Sequence, residues 1–215
     1  MTGFGEVTDL CVVGGGPAGA ATAIAATRAG LHVTVVDKAV FPRDKTCGDG
    51  LTASALRLLE DLGLQPARVP SWTVVDEVVV VSPSGRRVEL PLPAGTGQYA
   101  AVATRVDLDA ALLDVARAAG AAVIEGASVR SVDTADATLV TLELSDERRL
   151  QARYVVAADG MYSTVRRLVA PAASATGTER LALNCSTCAR SGTPSRAAIA
   201  PRRSRCALAK ATDST

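Results

Sequence analysis

The sequence predicts an α/β fold in which a parallel sheet carries a nucleotide-binding turn, and three observations support this prediction. A short apolar segment, Leu10–Val13, has the length and composition of a buried parallel strand. A glycine-rich turn and an alanine-rich helical segment follow it directly. A second, β-branched run, Val33–Val36, then ends in the acidic residue Asp37. This order of strand, turn, helix and strand is typical of a Rossmann-like dinucleotide-binding unit.

The turn has the G-x-G-x-x-G spacing of a pyrophosphate-binding loop, with its glycines at Gly14, Gly16 and Gly19. The first glycine permits a tight turn, the second lets the backbone approach a pyrophosphate, and the third lets the helix pack closely on the strand. The N–H groups that begin the helix then face the phosphates. Asp37 stands at the end of the second strand, where a carboxylate can accept hydrogen bonds from a ribose diol. Packing alone also produces glycine turns, but the complete unit favours nucleotide binding.

Composition excludes several classes of function. The chain has 215 residues and a formal net charge of +1, so nothing points to a nucleic-acid partner. Aromatic residues make up only 3% of the chain, which argues against a base-stacking surface.

Glu6 and Asp9 stand where a secretory signal would carry basic residues, so we expect a cytoplasmic protein whose five cysteines are free thiols. Cys185 and Cys188 lack a second pair of ligands, so we predict no metal site.

A loop and a short helix are predicted after Asp37. The segment Phe41–Gly50 contains the proline and glycines of an irregular loop. Thr52 or Ser54 can cap the following leucine-rich helix, and Gly63 is placed to end it.

The segment Trp72–Pro93 is predicted to form two strands joined by a turn at Pro83–Gly85. The first strand covers TVVDEVVVVS and the second covers RRVELPL. Because this hairpin interrupts the alternation of strands and helices, we expect it to belong to a different sheet. We assign residues 71–100 to part of a substrate-binding sheet.

An amphipathic helix is predicted over Thr104–Ala119, with Gly120 ending it. Strands are then expected over Ala122–Glu125, Ser128–Val132, Thr138–Leu144 and Leu150–Ala157, the last two forming a hairpin. The last strand leads into Asp159–Gly160, a dipeptide that on its own is typical of a turn.

The composition changes after Ala170. Residues 171–215 are rich in Ala, Ser, Thr, Arg and Pro and contain few residues that could form a core. We therefore predict a nucleotide-binding domain over residues 1–170 and a low-complexity basic tail over residues 171–215. The tail is either disordered or not the native continuation of the fold, as when a frameshift changes the reading frame.

Four segments in order, VVGGGPAGAATA, VDKAVFPRDKTCGDG, TRVDLDAALL and AADGMYSTVRR, resemble the geranylgeranyl reductase family of flavoproteins. This family lies within the wider class typified by para-hydroxybenzoate hydroxylase. The segment FPRDKTCGDG is the most discriminating, because its P-x-x-K-x-C-G-x-G form is similar to the reductase branch. The resemblance covers Asp9 to about Val169 and implies the N-terminal portion of a longer flavoprotein, with a Rossmann-like FAD-binding domain and an incomplete substrate domain.

The resemblance implies FAD as the cofactor and assigns its contacts. Its adenosine and pyrophosphate would lie on the glycine turn and its ribose on Asp37, while the loop Lys45–Gly50 would lie near the isoalloxazine ring. Arg105 would contact the phosphate region, Val129 the adenine edge, and Asp159–Gly160 the ribose and pyrophosphate region. The implied cofactor-binding residues are Gly14, Gly16, Ala18, Gly19, Asp37, Lys38, Lys45, Cys47, Gly48, Gly50, Arg105, Val129, Asp159 and Gly160.

The implied activity is the reduction of C=C bonds in a polyprenyl chain of a lipid, a pigment or a menaquinone. NAD(P)H or another reductant would supply the electrons, and Cys47 would relay a proton unless it is only a small residue that fits a tight loop. An FAD-dependent monooxygenase of the same class, an NAD-dependent dehydrogenase and a non-catalytic FAD-binding fragment remain alternatives. A polyprenyl substrate also leaves open a peripheral association with membranes, and the sequence does not predict an oligomeric state.

Overall fold

The computed structural model describes residues 7–47, 49–93 and 97–170. Gly48 and the basic tail, with the cysteines at positions 185, 188 and 206, lie outside the described residues, so the predictions made for them stay predictions.

The described residues form eleven strands, four α-helices and one 3₁₀ turn. The strands are β1 (Thr8–Val13), β2 (Val33–Val36), β3 (Gly50–Thr52), β4 (Thr73–Val74), β5 (Glu77–Val81), β6 (Arg87–Pro91), β7 (Ala100–Val102), β8 (Ala122–Ile124), β9 (Val129–Asp133), β10 (Val140–Leu144) and β11 (Arg149–Ala157). The helices are α1 (Pro17–Arg28), α2 (Ala53–Asp61), α3 (Arg105–Ala118) and α4 (Thr164–Val169), with one 3₁₀ turn at Pro66–Arg68.

Strand β1 lies inside a six-stranded sheet of order β8-β2-β1-β11-β10-β9. It pairs in parallel with β2 and with β11, and β2 pairs in parallel with β8. The last three strands form an antiparallel meander at the other edge. Cys11 and Val12 are 0% exposed, which accounts for the apolar run Leu10–Val13 within β1. The predicted parallel sheet is confirmed.

Helix α1 packs against the sheet and against α3 through small and aliphatic side chains. Ala20, Ala23 and Ile24 of α1 share one buried cluster with Leu112 and Leu113 of α3. Burial of this apolar face stabilises the layer of helices by about 25 cal/mol for each Å² removed from water. The two helices are therefore held on one face of the parallel sheet.

The predicted hairpin forms as β5–β6, which is a two-stranded sheet separate from the parallel one, and its assignment to a substrate-binding sheet stays a prediction. The prediction of one continuous strand over TVVDEVVVVS is wrong, because the chain divides it into β4 and β5. Strand β4 pairs instead with β7, which also pairs with β3 in a separate three-stranded sheet. The division occurs at Val75 and Asp76, whose backbone groups bond to Ala100 and Leu92 respectively.

The residues predicted to begin and end α2 lie at its two ends. The Thr52 hydroxyl accepts a hydrogen bond from the Ala55 N–H and caps α2, and Gly63 follows that helix with a φ of +83°. Helix α4 was not predicted, and it begins at a cap formed by Ser163. Among the residues described by the structure, no helix has both the length and the apolar character needed to cross a membrane.

Because Cys11 is buried, the stability of the fold decreases as the pH rises through the alkaline range. Desolvation raises the pKa of this thiol from 9.0 to about 12, so the folded state retains the proton where the unfolded state has lost it. The stabilisation that the buried, protonated thiol contributes is complete below pH 9 and is lost as the pH rises from 9 toward 12. We expect Cys11→Ala to lower the free energy of unfolding at pH 8, and its deficit to shrink by about 1.4 kcal/mol per pH unit above pH 9.

Urea unfolding of both proteins between pH 8 and 11 measures this dependence. Val12→Ala is the matched control, because it also leaves a cavity in β1 but removes no titrating group. A Cys11→Ala deficit that stays constant with pH, as in the control, contradicts the prediction.

Candidate functional site

The glycine turn and the Asp159–Gly160 turn lie side by side at the carboxyl ends of β1 and β11. Gly14 has a φ of +108°, and a Cβ placed there would lie 2.4 Å from the carbonyl oxygen of Ala158. The Gly14 N–H donates to the Val36 carbonyl at 2.7 Å, and the Ala158 N–H donates to the Val13 carbonyl at 2.7 Å. Position 14 therefore requires glycine both for its conformation and for this close backbone approach.

The N-terminus of α1 opens onto this turn. Its cap residue, Gly16, has no side chain, and no side chain caps the helix. Because a helix leaves its first N–H groups without intrahelical partners, the amides at Ala18 and Gly19 are donors for an anion at this end. Gly19 also brings the helix close to the turn, since a Cβ there would lie 1.7 Å from the Gly14 carbonyl oxygen.

Asp37 is buried and tied to the backbone on both sides. One carboxylate oxygen accepts a hydrogen bond from the Gly15 N–H at 2.6 Å, and the other accepts one from the Ala39 N–H at 2.8 Å. Asp37 thus holds the glycine turn against the end of β2, while the neighbouring Lys38 is exposed. Contact of Asp37 and Lys38 with a ribose stays a prediction.

Two arginines meet on one buried carboxylate next to the turn. Arg105, the first residue of α3, donates through Nε and Nη2 to the two oxygens of Asp109, both at 2.7 Å. Nη1 of Arg43 lies 3.1 Å from Oδ2 of Asp109, which is 0% exposed. Asp109 and Arg43 were not singled out in the sequence. The i,i+4 spacing of Arg105 and Asp109 was the only available signal, and it does not distinguish a buried pair from an exposed one.

Both guanidinium groups point at the start of α1. A Cβ on Gly16 would lie 3.4 Å from Nη2 of Arg43 and 3.7 Å from Nη2 of Arg105. The Arg43 guanidinium also stacks over the Phe41 ring, 4.9 Å from its centroid. The hydrogen bonds with Asp109, and to a smaller extent a contact with the exposed Cys47 side chain, raise the pKa of Arg105 above its usual value.

The Asp159–Gly160 turn is built from backbone contacts. One oxygen of Asp159 accepts hydrogen bonds from the N–H groups of Thr164 and Val165, at 2.6 and 3.2 Å. Its other oxygen is buried and has no hydrogen-bond partner in the described part of the chain. The Lys45 ammonium group lies 3.3 Å from the position of a Cβ on Gly160, which brings the loop that begins at Phe41 to this turn.

The remaining predicted site residues lie farther along the sheet edges. Val129 begins β9 and pairs with Leu144, and the preceding Ala127 N–H donates to the Asp37 carbonyl at 3.1 Å. Gly50 begins β3 and pairs with Val102. The structure therefore links the segment before Val129 to Asp37, and an adenine contact at Val129 stays a prediction.

The residues around Gly16 fit the diphosphate of a dinucleotide. Uncapped amides, two guanidinium groups and a backbone without side chains converge at one point. Nη1 of Arg43 lies 3.1 Å from Oδ2 of Asp109, so Nη2 is the Arg43 donor that lies next to Gly16. The arrangement can bind a doubly charged group, whereas the described residues near it form no group of ligands suited to a metal ion.

Comparisons with known proteins agree with this geometry. Residues 7–206 match the family model described as "FAD binding domain". Over 168 residues the chain is 38% identical to a menaquinone reductase of Mycobacterium tuberculosis, covering 75% of this chain and 40% of that protein. It is 33% identical over 167 residues to a geranylgeranyl diphosphate reductase of Rhodobacter capsulatus, covering 75% of this chain and 39% of that protein. The chain thus spans about two fifths of the length of these relatives.

A solved structure shows the same fold. The probable FAD-dependent monooxygenase PqsL from Pseudomonas aeruginosa superimposes with a TM-score of 0.64 at 24% identity, over 79% of this chain and 47% of that one.

Replacing Gly14 tests the close approach of the two turns. We expect Gly14→Ala to lower the free energy of unfolding by about 3 kcal/mol or more, because the new Cβ meets the Ala158 carbonyl at a strained φ. We also expect the purified variant to lose bound flavin. Gly30→Ala is the matched control, because Gly30 has a φ of +84° but open space around it, and we expect it to cost roughly 1–2 kcal/mol.

Denaturant unfolding and the visible absorption of the purified proteins measure both effects. Equal losses of stability in the two variants, with flavin retained by both, would show that the contact at Gly14 does not constrain the site.

Proposed function

We propose that this chain, which belongs to the FAD-binding domain family, is the cofactor-binding part of an FAD-dependent reductase that saturates C=C bonds of a polyprenyl chain. The observation that carries the proposal is the cationic cradle at Gly16, formed by the start of α1 with Arg43 and Arg105. Its charge and its bare backbone suit the diphosphate of FAD. When bound, FAD supplies the redox chemistry, and the residues of this chain bind and orient it.

The relatives support a reductase over a monooxygenase. The menaquinone reductase and the geranylgeranyl diphosphate reductase are 38% and 33% identical to the chain, while one FAD-dependent monooxygenase, of Beauveria bassiana, is 34% identical. The similarity to PqsL, at 24% identity, concerns the fold alone. We therefore propose the prenyl chain of a menaquinone as the substrate, and NAD(P)H or another reductant as the source of electrons.

Cys47 is the proposed proton relay of this reaction. Its side chain is exposed on the loop that approaches the Asp159–Gly160 turn, and it contacts the Arg105 guanidinium. A thiol beside a cation in an exposed loop is suited to exchange protons, in contrast to the buried thiol of Cys11. Lys45 lies in the same loop and brings a second positive charge to the Gly160 turn.

A flavin spectrum and a chimera test the proposal in two steps. We expect the chain to bind FAD, with the visible absorption of oxidised flavin remaining after gel filtration. We then expect residues 1–170, joined to the remaining part of the Mycobacterium tuberculosis menaquinone reductase, to convert menaquinone into a product heavier by two hydrogens per reduced bond. Mass spectrometry of the product measures this gain.

The chimera with Cys47→Ala separates cofactor binding from proton relay, and Cys11→Ala is its control. We expect the first variant to retain FAD but lose most of its turnover, and the second to retain both. A product that contains an added oxygen atom would favour the monooxygenase instead, and a chain that never retains FAD would refute the proposed function.

A further inference from the structure

We infer that Asp109 is a positioning residue for the diphosphate of FAD: it holds the guanidinium groups of Arg43 and Arg105 side by side at the start of α1. The inference rests on the proposed function, but only on the binding of FAD and not on any substrate.

A buried carboxylate such as that of Asp109 is unusual at a position whose only role is to stabilise the fold. It lies on the inner face of α3 between Leu108 and Leu112, and it is 0% exposed. A carboxylate in such a place is stabilised only by close partners of opposite charge, and an apolar side chain of similar size often packs there with equal or greater stability. Stability alone therefore does not account for the charge at position 109.

The contacts of Asp109 impose one arrangement on two like charges. Arg105 takes both carboxylate oxygens in a bidentate pair, and Arg43 shares Oδ2 at 3.1 Å. Without the carboxylate, two guanidinium groups this close would repel each other and turn apart. Asp109 cancels one of the two charges and leaves a net positive charge next to Gly16.

The direction of the arginines connects this arrangement to the ligand. Nη2 of each arginine lies within 4 Å of the position of a Cβ on Gly16, and the side chains of Arg43 and Arg105 are only 17% and 15% exposed. The Arg43 guanidinium also stacks over the Phe41 ring. The Asp109 carboxylate, which contacts both guanidinium groups, and the Phe41 ring, which contacts that of Arg43, thus direct two donors at one point, where a diphosphate can accept bidentate hydrogen bonds.

The variant Asp109→Asn separates positioning from simple electrostatics, because the two predict opposite signs. Removing a negative charge near a diphosphate should tighten FAD binding if only net charge matters. If Asp109 positions the arginines, FAD binding should weaken, and we expect its dissociation constant to rise roughly 10- to 100-fold. Titration of the full-length apoprotein with FAD, followed by quenching of flavin fluorescence, measures the constant.

Asp107→Asn is the matched control on the same helix. The Asp107 carboxylate accepts hydrogen bonds from Ser71 and Thr104, away from Gly16, and these bonds lower its pKa. We expect this variant to lower stability, measured by unfolding without FAD, and to leave the dissociation constant of FAD unchanged. A merely structural role for Asp109 would give the same result in both variants.

Asp109→Glu covers the case in which Asp109→Asn does not fold. It keeps the buried charge but moves the carboxylate by one methylene, so we expect a folded protein with weakened FAD binding. Either folded Asp109 variant that binds FAD as tightly as the unchanged chain, or more tightly, overturns the inference alone. If the unchanged chain fails to bind FAD, the proposed function fails and the inference fails with it.

Discussion

The close approach of Gly14 to the end of β11 is the constraint on which the rest of the site depends. Two parallel neighbouring strands send their connections out of the same edge of the sheet, so these connections compete for the same space. A Cβ on Gly14 would lie 2.4 Å from the Ala158 carbonyl oxygen, and one on Gly19 would lie 1.7 Å from the Gly14 carbonyl oxygen. Backbone without side chains at both positions lets the sheet edge, the start of α1 and the Asp159 turn meet at one place.

A second set of contacts concentrates positive charge around Gly16. The whole chain is nearly neutral, with a net charge of +1, yet two arginines and a helix N-terminus converge around Gly16. Two carboxylates near the turn are occupied: Asp37 by backbone N–H groups, and Asp109 by the arginines themselves. Asp37 therefore shapes the turn and Asp109 orients the cations, whereas Asp159 keeps one buried oxygen without a hydrogen-bond partner among the described residues.

The loop that begins at Phe41 makes further contacts, which lead from Gly16 toward the residues predicted to lie near the flavin ring. The Phe41 N–H donates to the Glu125 carboxylate, which also pairs with Arg117 of α3 at 2.8 Å. The Phe41 ring in turn lies beneath Arg43 and next to Gly15. A loop rich in proline and glycine is thus fastened at its start, which places Lys45 near Gly160.

Patterns that are local in the chain allowed much of the fold to be predicted. Strand β2 spans the predicted residues 33–36, and helices α1 and α3 agree with their alanine-rich and amphipathic segments, because each depends mainly on the periodicity of its own residues. Strands β3 and β7 were missed, and β4 was merged with β5. Strands β3, β4 and β7 have only two or three residues and are defined by partners far away in the chain.

The sequence by itself determined the nucleotide-binding unit, because the glycine spacing, the alanine-rich helix and the acid at the end of β2 all lie within one continuous segment. Only the tertiary structure decided how that unit acquires its cations. Arg43 comes from a loop and Arg105 and Asp109 from a distant helix, so their meeting depends on how α3 packs against α1. A buried ion pair and an exposed one have the same spacing in a sequence, and burial is a property of the folded chain alone.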